Sequence, residues 1–192
     1  MIYGGTLYDY TINDLLWRRK GIEINSDMKR LLIIGAGGHG KVVKEIAEAV
    51  GNYEKIDFID DYSQEAIGKI CDLEKFHNDY DSAFPGIGDN RLRKELIQRL
   101  LNVGYEIPVL IHPTAYVSKS SEIKMGTVVE PKAIINANAC VGEGCIISVG
   151  AIVDHDVIVN KYAHVNAGAI CKAGGIIEAE RKMEAGEVQK GY

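Results

Sequence analysis

Residues 117–141 read VSKSSEIKMGTVVEPKAIINANACV, and an aliphatic side chain returns at every sixth position: Val117, Ile123, Val129, Ile135 and Val141. The rule continues through Ile147, Val153, Val159 and Val165 to Cys171 and Ile177, with Cys171 as the one non-aliphatic member. Four places after each, the residue is small (Ser121, Thr127, Ala133, Ala139, Cys145, Ala151, Ala163, Ala169, Gly175), Val157 excepted. A period of six fits neither a helix nor the simple alternation of a strand. It fits a coil with three flat sides, each turning at a corner where a small residue is needed. One coil then takes 18 residues (three sixes), and neighbouring coils stack about 4.8 Å apart, the spacing of paired strands. A sandwich of evenly spaced strands is the rival reading, but it has no reason to hold so strict a period. Arg181, Lys182, Glu184 and Glu187 interrupt the pattern, so the coil is expected to end in an irregular tail after fewer than four turns.

Upstream of His112-Pro113 the pattern is different. Met28-Lys29-Arg30 leads into the apolar run Leu31-Leu32-Ile33-Ile34, which stops at a glycine cluster. From Lys41, Val42, Val43, Ile46, Ala49 and Val50 recur at helical spacing, and Gly51 follows as a stop. Ile56 to Ile59 reads as a second strand ending in Asp60-Asp61, and Ala83 to Ile87 as a third. Asp89 or Asn90 can cap a helix over Leu92, Leu96, Leu100 and Leu101, and Ile107 to Ile111 makes a last strand broken by Pro108. Strands alternating with helices predict a small parallel, Rossmann-like α/β unit. The expected division is 1–27 as leader or linker, 28–110 as the α/β domain and 111–192 as the coil. The leader holds the only Trp and a basic run, Arg18-Arg19-Lys20. It reads as a linker, the remnant of a fused partner, or an early translation start.

Composition bounds the partners. The 192 residues carry 22 Lys plus Arg against 27 Asp plus Glu, which argues against nucleic acid. No apolar run approaches a membrane span and no signal peptide is evident. Cys71, Cys140, Cys145 and Cys171 contain no CxxC pair, consistent with free thiols in a cytoplasmic chain.

Two constellations carry chemistry. Gly35, Gly37 and Gly40 match G-x-G-x-x-G between a strand and a helix, where a glycine turn and a helix N-terminus favour an anion. Gly38 and His39 lie in the same loop, Asp60 or Asp61 stands where a ribose hydroxyl is held, and Gly88 and Asn90 form a second turn at the strand ends. Taken alone the motif reads as NAD binding, but the second half of a dinucleotide fold is missing; glycines present only to pack helix on strand are the plainer alternative. In the coil, Asp154-His155-Asp156 breaks an apolar and small-residue register. A histidine is the natural base for an attacking amine or hydroxyl, and Asp156 can orient its ring. Backbone amides around Gly150, Gly168 and Gly174 are candidates for binding the thioester or pantetheine of the cofactor, and for donating to a tetrahedral oxyanion. His155 and His164 lack a metal-ligand spacing, so no metal is expected.

These residues resemble a known family. The hexapeptide repeat is similar to that of left-handed β-helix acyltransferases. The stretch Leu31 to Lys41, with Asp60-Asp61 and Ile111-His112-Pro113, narrows the resemblance to the sugar O-acyltransferase group. That group includes sialic acid O-acetyltransferases and N-acetyltransferases of UDP-4-amino-4,6-dideoxy sugars. The resemblance implies a homotrimer, acetyl-CoA as co-substrate in a groove between neighbouring chains, and a UDP-sugar on the α/β domain at the glycine loop and the Asp pair. It implies His155 as catalytic base with Asp156 as its acid partner, and His164 as a residue holding acetyl-CoA. The expected function is N-acetylation of a UDP-linked amino sugar for glycan biosynthesis. The alternatives are O-acetylation of a sialic acid or other sugar, and a non-catalytic nucleotide-sugar-binding module.

Overall fold

The structure is a computed structural model that describes residues 28–192; the expected leader lies outside the described residues. It begins with strand β1 (Lys29–Ile34), whose Leu31 to Ile34 are wholly buried. Helix α1 (Gly38–Val50) turns Val43, Ile46, Ala47 and Val50 inward and ends at Gly51, whose φ of 76° lets its amide reach the Ala47 carbonyl. Strands β2 (Tyr53–Ile59), β3 (Ala66–Gly68) and β4 (Ser82–Pro85) complete a parallel sheet in the order β3-β2-β1-β4. The short β3 was not foreseen. Helix α2 (Asn90–Val103) is capped by Asp89, which accepts the Leu92 amide at 2.8 Å, and it stops at Gly104. An apolar run between two strands, with the helices packed against it, is what a parallel sheet requires.

Strands of two residues follow at every sixth position: β5 (Leu110–Ile111), β6 (Tyr116–Val117), β7 (Glu122–Ile123), β8 (Val128–Val129), β9 (Ile134–Ile135) and β10 (Cys140–Val141). The series continues through β11 (Ile146–Ile147), β12 (Ile152–Val153), β13 (Ile158–Val159), β14 (His164–Val165), β15 (Ile170–Cys171) and β16 (Ile176–Ile177); a single bridge at Lys182 takes the next place, and β17 (Val188–Gln189) follows. They stack in parallel into three sheets: β5-β8-β11-β14, β6-β9-β12-β15-β17 and β7-β10-β13-β16. The product is a three-sided parallel β-helix with residues at the same side of successive coils in register. The inward aliphatic column is almost entirely buried, as the period requires.

Three details differ from the sequence reading. The strand expected to close the α/β unit is instead the first rung of the prism, because Leu110 and Ile111 pair with Val128 and Val129. The irregular tail is a further coil: Met183 is fully buried six places after Ile177, and Val188–Gln189 pairs with Ile170–Cys171. Glu180 takes a corner and Lys182 an outward position, while Arg181 and Glu187 stand half-buried at the within-turn positions and pair with each other, so the inward column continues past them. Finally, the small residues do not make the corners. The corner residue is the one before each, with φ near +60° at Gly126, Lys132, Asn138, Gly144, Gly150, Asp156, Tyr162 and their successors. Ala133, Ala139, Cys145 and Ala151 are buried inside the turn, where a larger side chain would not fit.

One sheet of the prism carries the α/β domain. Its outward residues Leu110, Val128 and Ile146 join the core of that domain, and α1 lies beside β5. Burying each such side chain contributes about 1.5–3 kcal/mol. Arg93 of α2 fastens the seam. Only 1% exposed, it donates to the carbonyls of Gly144 (2.7 Å) and Tyr162 (2.8 Å) on the prism, to the Asn90 side chain (2.8 Å) and to Ile87 and Gly88. The outward rows of the other two sheets, such as Ile134, Ile158, Ile176 and Val188, remain exposed.

Candidate active site

His155 sits at the corner between β12 and β13, with its imidazole outside the prism and 45% exposed. Its Nδ1 lies 2.7 Å from Oδ2 of Asp156. Asp156 occupies the left-handed corner position (φ 58°), a conformation that costs most side chains energy and that Asp tolerates. That turn swings the carboxylate back beside its neighbour's ring. Below, Asn138 donates to Asp156 Oδ1 (3.2 Å) and Asn136 to Asp154 Oδ1 (3.1 Å), while Asp154 also accepts the His155 amide (2.7 Å). The hydrogen bond to Asp156 raises the His155 pKa above its usual 6.5, and the same bond lowers that of Asp156. Nε2 is left as the outward nitrogen. The Tyr192 ring lies beside it, 6.4 Å between centroids, over Gly174.

The glycine-rich loop divides into two kinds of glycine. A Cβ on Gly35 (φ 103°) would stand 2.5 Å from Ile87 Cδ1, and one on Gly40 only 2.0 Å from the Gly35 carbonyl oxygen. Those two glycines serve close packing of helix on strand. Gly37 and Gly38 are exposed at the start of α1 with nothing within 4 Å of a built Cβ, so their backbone is open to an incoming group. Asp60 braces the loop: Oδ2 accepts the Ala36 amide (2.9 Å), and Oδ1 accepts those of Tyr62 (2.8 Å) and Ser63 (2.9 Å). The Ala36 bond is the main reason its pKa is lowered. Asp61 accepts the Ile70 amide at 3.0 Å. Gly88 lies next to His39, with the His39 Cβ 4.0 Å from a built Cβ. The expectation for Asn90 needs correction. Buried, its amide bridges Glu180 O (2.8 Å) and Arg93, so it belongs to the seam and not to an open crevice.

A third group, only partly foreseen, lies where the loop meets the prism. His39 Nδ1 is 3.8 Å from Glu130 Oε1, and Glu130 Oε2 accepts the Val149 amide at 2.8 Å. Beside them His164, 8% exposed, places Nε2 2.9 Å from Ser148 Oγ. Burial first, and the Arg93 charge second, lower the pKa of both histidines to about 4. Both are therefore neutral at physiological pH. Glu130 and Ser148 were not singled out from the sequence because each stands one place past an inward residue, where the repeat is polar anyway. His155 and His164 are not brought together within one chain: His155 is at the vertex opposite the sheet that bears His164.

The oxyanion expectation is overturned for the three glycines. Gly150 N donates to Pro131 O (3.1 Å), Gly168 N to Val149 O (3.0 Å) and Gly174 N to His155 O (3.1 Å), so these amides already serve the coil-to-coil ladder. Nothing lies within 4 Å of a Cβ built on Gly150 or Gly168, which leaves a smooth, open corner there.

Residues 30–100 match the family described as the PglD N-terminal domain. Over 84% of the chain and 82% of the other, the structure superposes on the acetyltransferase domain of PglB from Neisseria gonorrhoeae in complex with acetyl coenzyme A, at 35% identity and a TM-score of 0.81. This chain belongs to the hexapeptide-repeat sugar acyltransferases. The prism is accordingly a left-handed β-helix. PerB of Caulobacter crescentus, crystallised with CoA and GDP-perosamine, is another similar sugar acyltransferase structure (30% identity, TM-score 0.71, 84% of this chain and 89% of that one). A curated relative, the UDP-N-acetylbacillosamine N-acetyltransferase of Bacillus subtilis, is 35% identical over 112 residues. That alignment takes in 53% of this chain and spans about half (51%) of the relative.

Proposed function

We propose that the chain is an acetyl-CoA-dependent N-acetyltransferase acting on a nucleotide-linked 4-amino sugar, with His155 as general base. The observation that carries this is the His155–Asp156 pair: a half-exposed imidazole whose inner nitrogen is held by a carboxylate and whose outer nitrogen is free for substrate. The amine nitrogen attacks the thioester carbonyl and forms the C–N bond. Nε2 of His155 takes the amine proton while Asp156 steadies Nδ1–H; the C–S bond breaks, and the proton passes from Nε2 to the departing sulfur, releasing coenzyme A as its thiol. Acetyl-CoA already carries a good leaving group, so no covalent enzyme intermediate is needed. The likeness to a UDP-N-acetylbacillosamine N-acetyltransferase and to PerB in complex with GDP-perosamine supports an amine on a nucleotide sugar. The open Gly37–Gly38 turn at a helix N-terminus suits its phosphates, with residues 28–110 as the acceptor-binding domain and 111–192 as the acyl-transfer domain.

The active site is assembled between copies of the chain in a homotrimer. Within one chain the base stands opposite the sheet that carries the acceptor domain, so a second copy must bring its vertex to that domain. The aligned row Tyr116, Ile134, Ile152, Ile170 and Val188, exposed at its ends and half-buried at Ile152 and Ile170, supplies an apolar flank for such packing. Incubation with acetyl-CoA and a UDP-4-amino-4,6-dideoxy sugar should release free CoA thiol and give an N-acetylated product. Thiol release with a sialic acid acceptor alone would replace this reading by O-acetylation. Binding of the UDP-sugar with no acyl transfer to any acceptor would make the chain a binding module. Ile152→Glu should convert a trimer to monomers in sedimentation and abolish transfer; an active monomer would refute the shared site.

A further inference from the structure

The proposed mechanism uses the vertex histidine and leaves the buried pair at the seam without a role. His39 and Glu130 come from different domains, one from the glycine loop and one from the prism, and they meet at 3.8 Å across the seam. Glu130 is held: its Oε2 takes the Val149 amide, which points Oε1 at the ring. His39 Nε2 is buried without a hydrogen-bond partner, as is Nδ1 of the neighbouring His164. Buried polar atoms normally have partners, and an orphan at a ligand-binding seam points to a group supplied by a ligand.

We infer that Glu130 is a positioning residue for His39: it fixes the ring with the proton on Nδ1, so that Nε2 presents a lone pair to an N–H of the acceptor's amino group. The inference rests on the proposed amine acceptor. The physical reason is direct. A neutral imidazole carries one ring proton, and the nitrogen that keeps it is the one facing an acceptor. A carboxylate can only accept, so a Glu130 carboxylate beside Nδ1 dictates the proton's place there.

The test is Glu130→Gln, which preserves shape. One amide oxygen cannot serve both Val149 N–H and Nδ1–H; with the oxygen on Val149, the NH₂ group faces Nδ1 and forces the ring proton to Nε2. Nitrogen-15 spectra of histidine-labelled protein without substrate, with His39 assigned through His39→Asn, should show the Nδ1–H form in the wild type and the Nε2–H form in Glu130→Gln. Turnover of the UDP-4-amino sugar should fall at least tenfold in the variant, with the KM for acetyl-CoA within twofold and the thermal unfolding midpoint retained. An Nε2–H ring in the wild type, or the same tautomer in both proteins, overturns the inference, whether or not acetylation is seen. A switched tautomer with unchanged turnover overturns the positioning role. If the wild type fails to acetylate any amino sugar, the spectra still decide the tautomer, while the acceptor reading falls separately.

Discussion

The vertex and the seam each hold a histidine beside a carboxylate, and burial sets them apart. At the vertex, His155 and Asp156 are both near half exposed at 2.7 Å, and the hydrogen bond raises the imidazole's pKa. At the seam, His39 and Glu130 are nearly enclosed at 3.8 Å, and desolvation with the Arg93 charge lowers the imidazole to about 4. Burial also raises Glu130. An imidazole beside a carboxylate thus gives a proton-accepting base in one place and, in the other, a hydrogen-bonding ring that is neutral at physiological pH. Solvent decides the outcome, because removing water disfavours whichever form is charged. A base that must gain and lose a proton each turnover belongs at the wet vertex, and a ring that must stay fixed belongs in the dry seam.

The largest effect should come from His155→Ala. Loss of a general base lowers kcat by roughly 10²- to 10⁴-fold. CoA-thiol release should show it, with KM for acetyl-CoA nearly unchanged; a loss below threefold would move the chemistry away from the vertex. The glycine loop gives an intermediate effect. A methyl at Gly40 collides with backbone, so Gly40→Ala should destabilise by about 1–3 kcal/mol or more in chemical denaturation. Gly38→Ala meets nothing and should leave stability within about 0.5 kcal/mol while weakening acceptor binding. Equal stability losses in the two variants would erase the distinction between packing and ligand-facing glycines. The smallest is Asp156→Asn. Because the base must be neutral, the rate rises with pH through the elevated His155 pKa. Removing the carboxylate charge lowers that pKa, so the acidic limb of kcat/KM should shift to lower pH, with a plateau about tenfold down. A limb that stays put would show that Asp156 does not act on the ring.

Much of this was legible before any coordinates. A six-residue period admits few backbones, because each inward side chain must meet the one a coil below. That is why the prism was readable from Val117 to Ile177; Met183 keeps the same period six places on, masked in the sequence by the charged Arg181 and Lys182 before it. His155 stood out because it is an imidazole flanked on both sides by a carboxylate, Asp154 and Asp156. Glu130 and Arg93 did not stand out: one fills a position where polar residues are routine, and the other lies on a helix face whose exposed neighbours are also charged.

Local pattern therefore set the periodic and near-neighbour features: the rungs, the helix caps, and a carboxylate one residue from its histidine. What faces what across the seam came from the packed chain alone. Whether a glycine amide is free, whether an imidazole is wet or dry, and which residue meets His39 from far along the chain all depend on the docking of two units. Such contacts leave no periodic trace in the sequence, because burial and charge at a site are summed over neighbours in space and not along the chain.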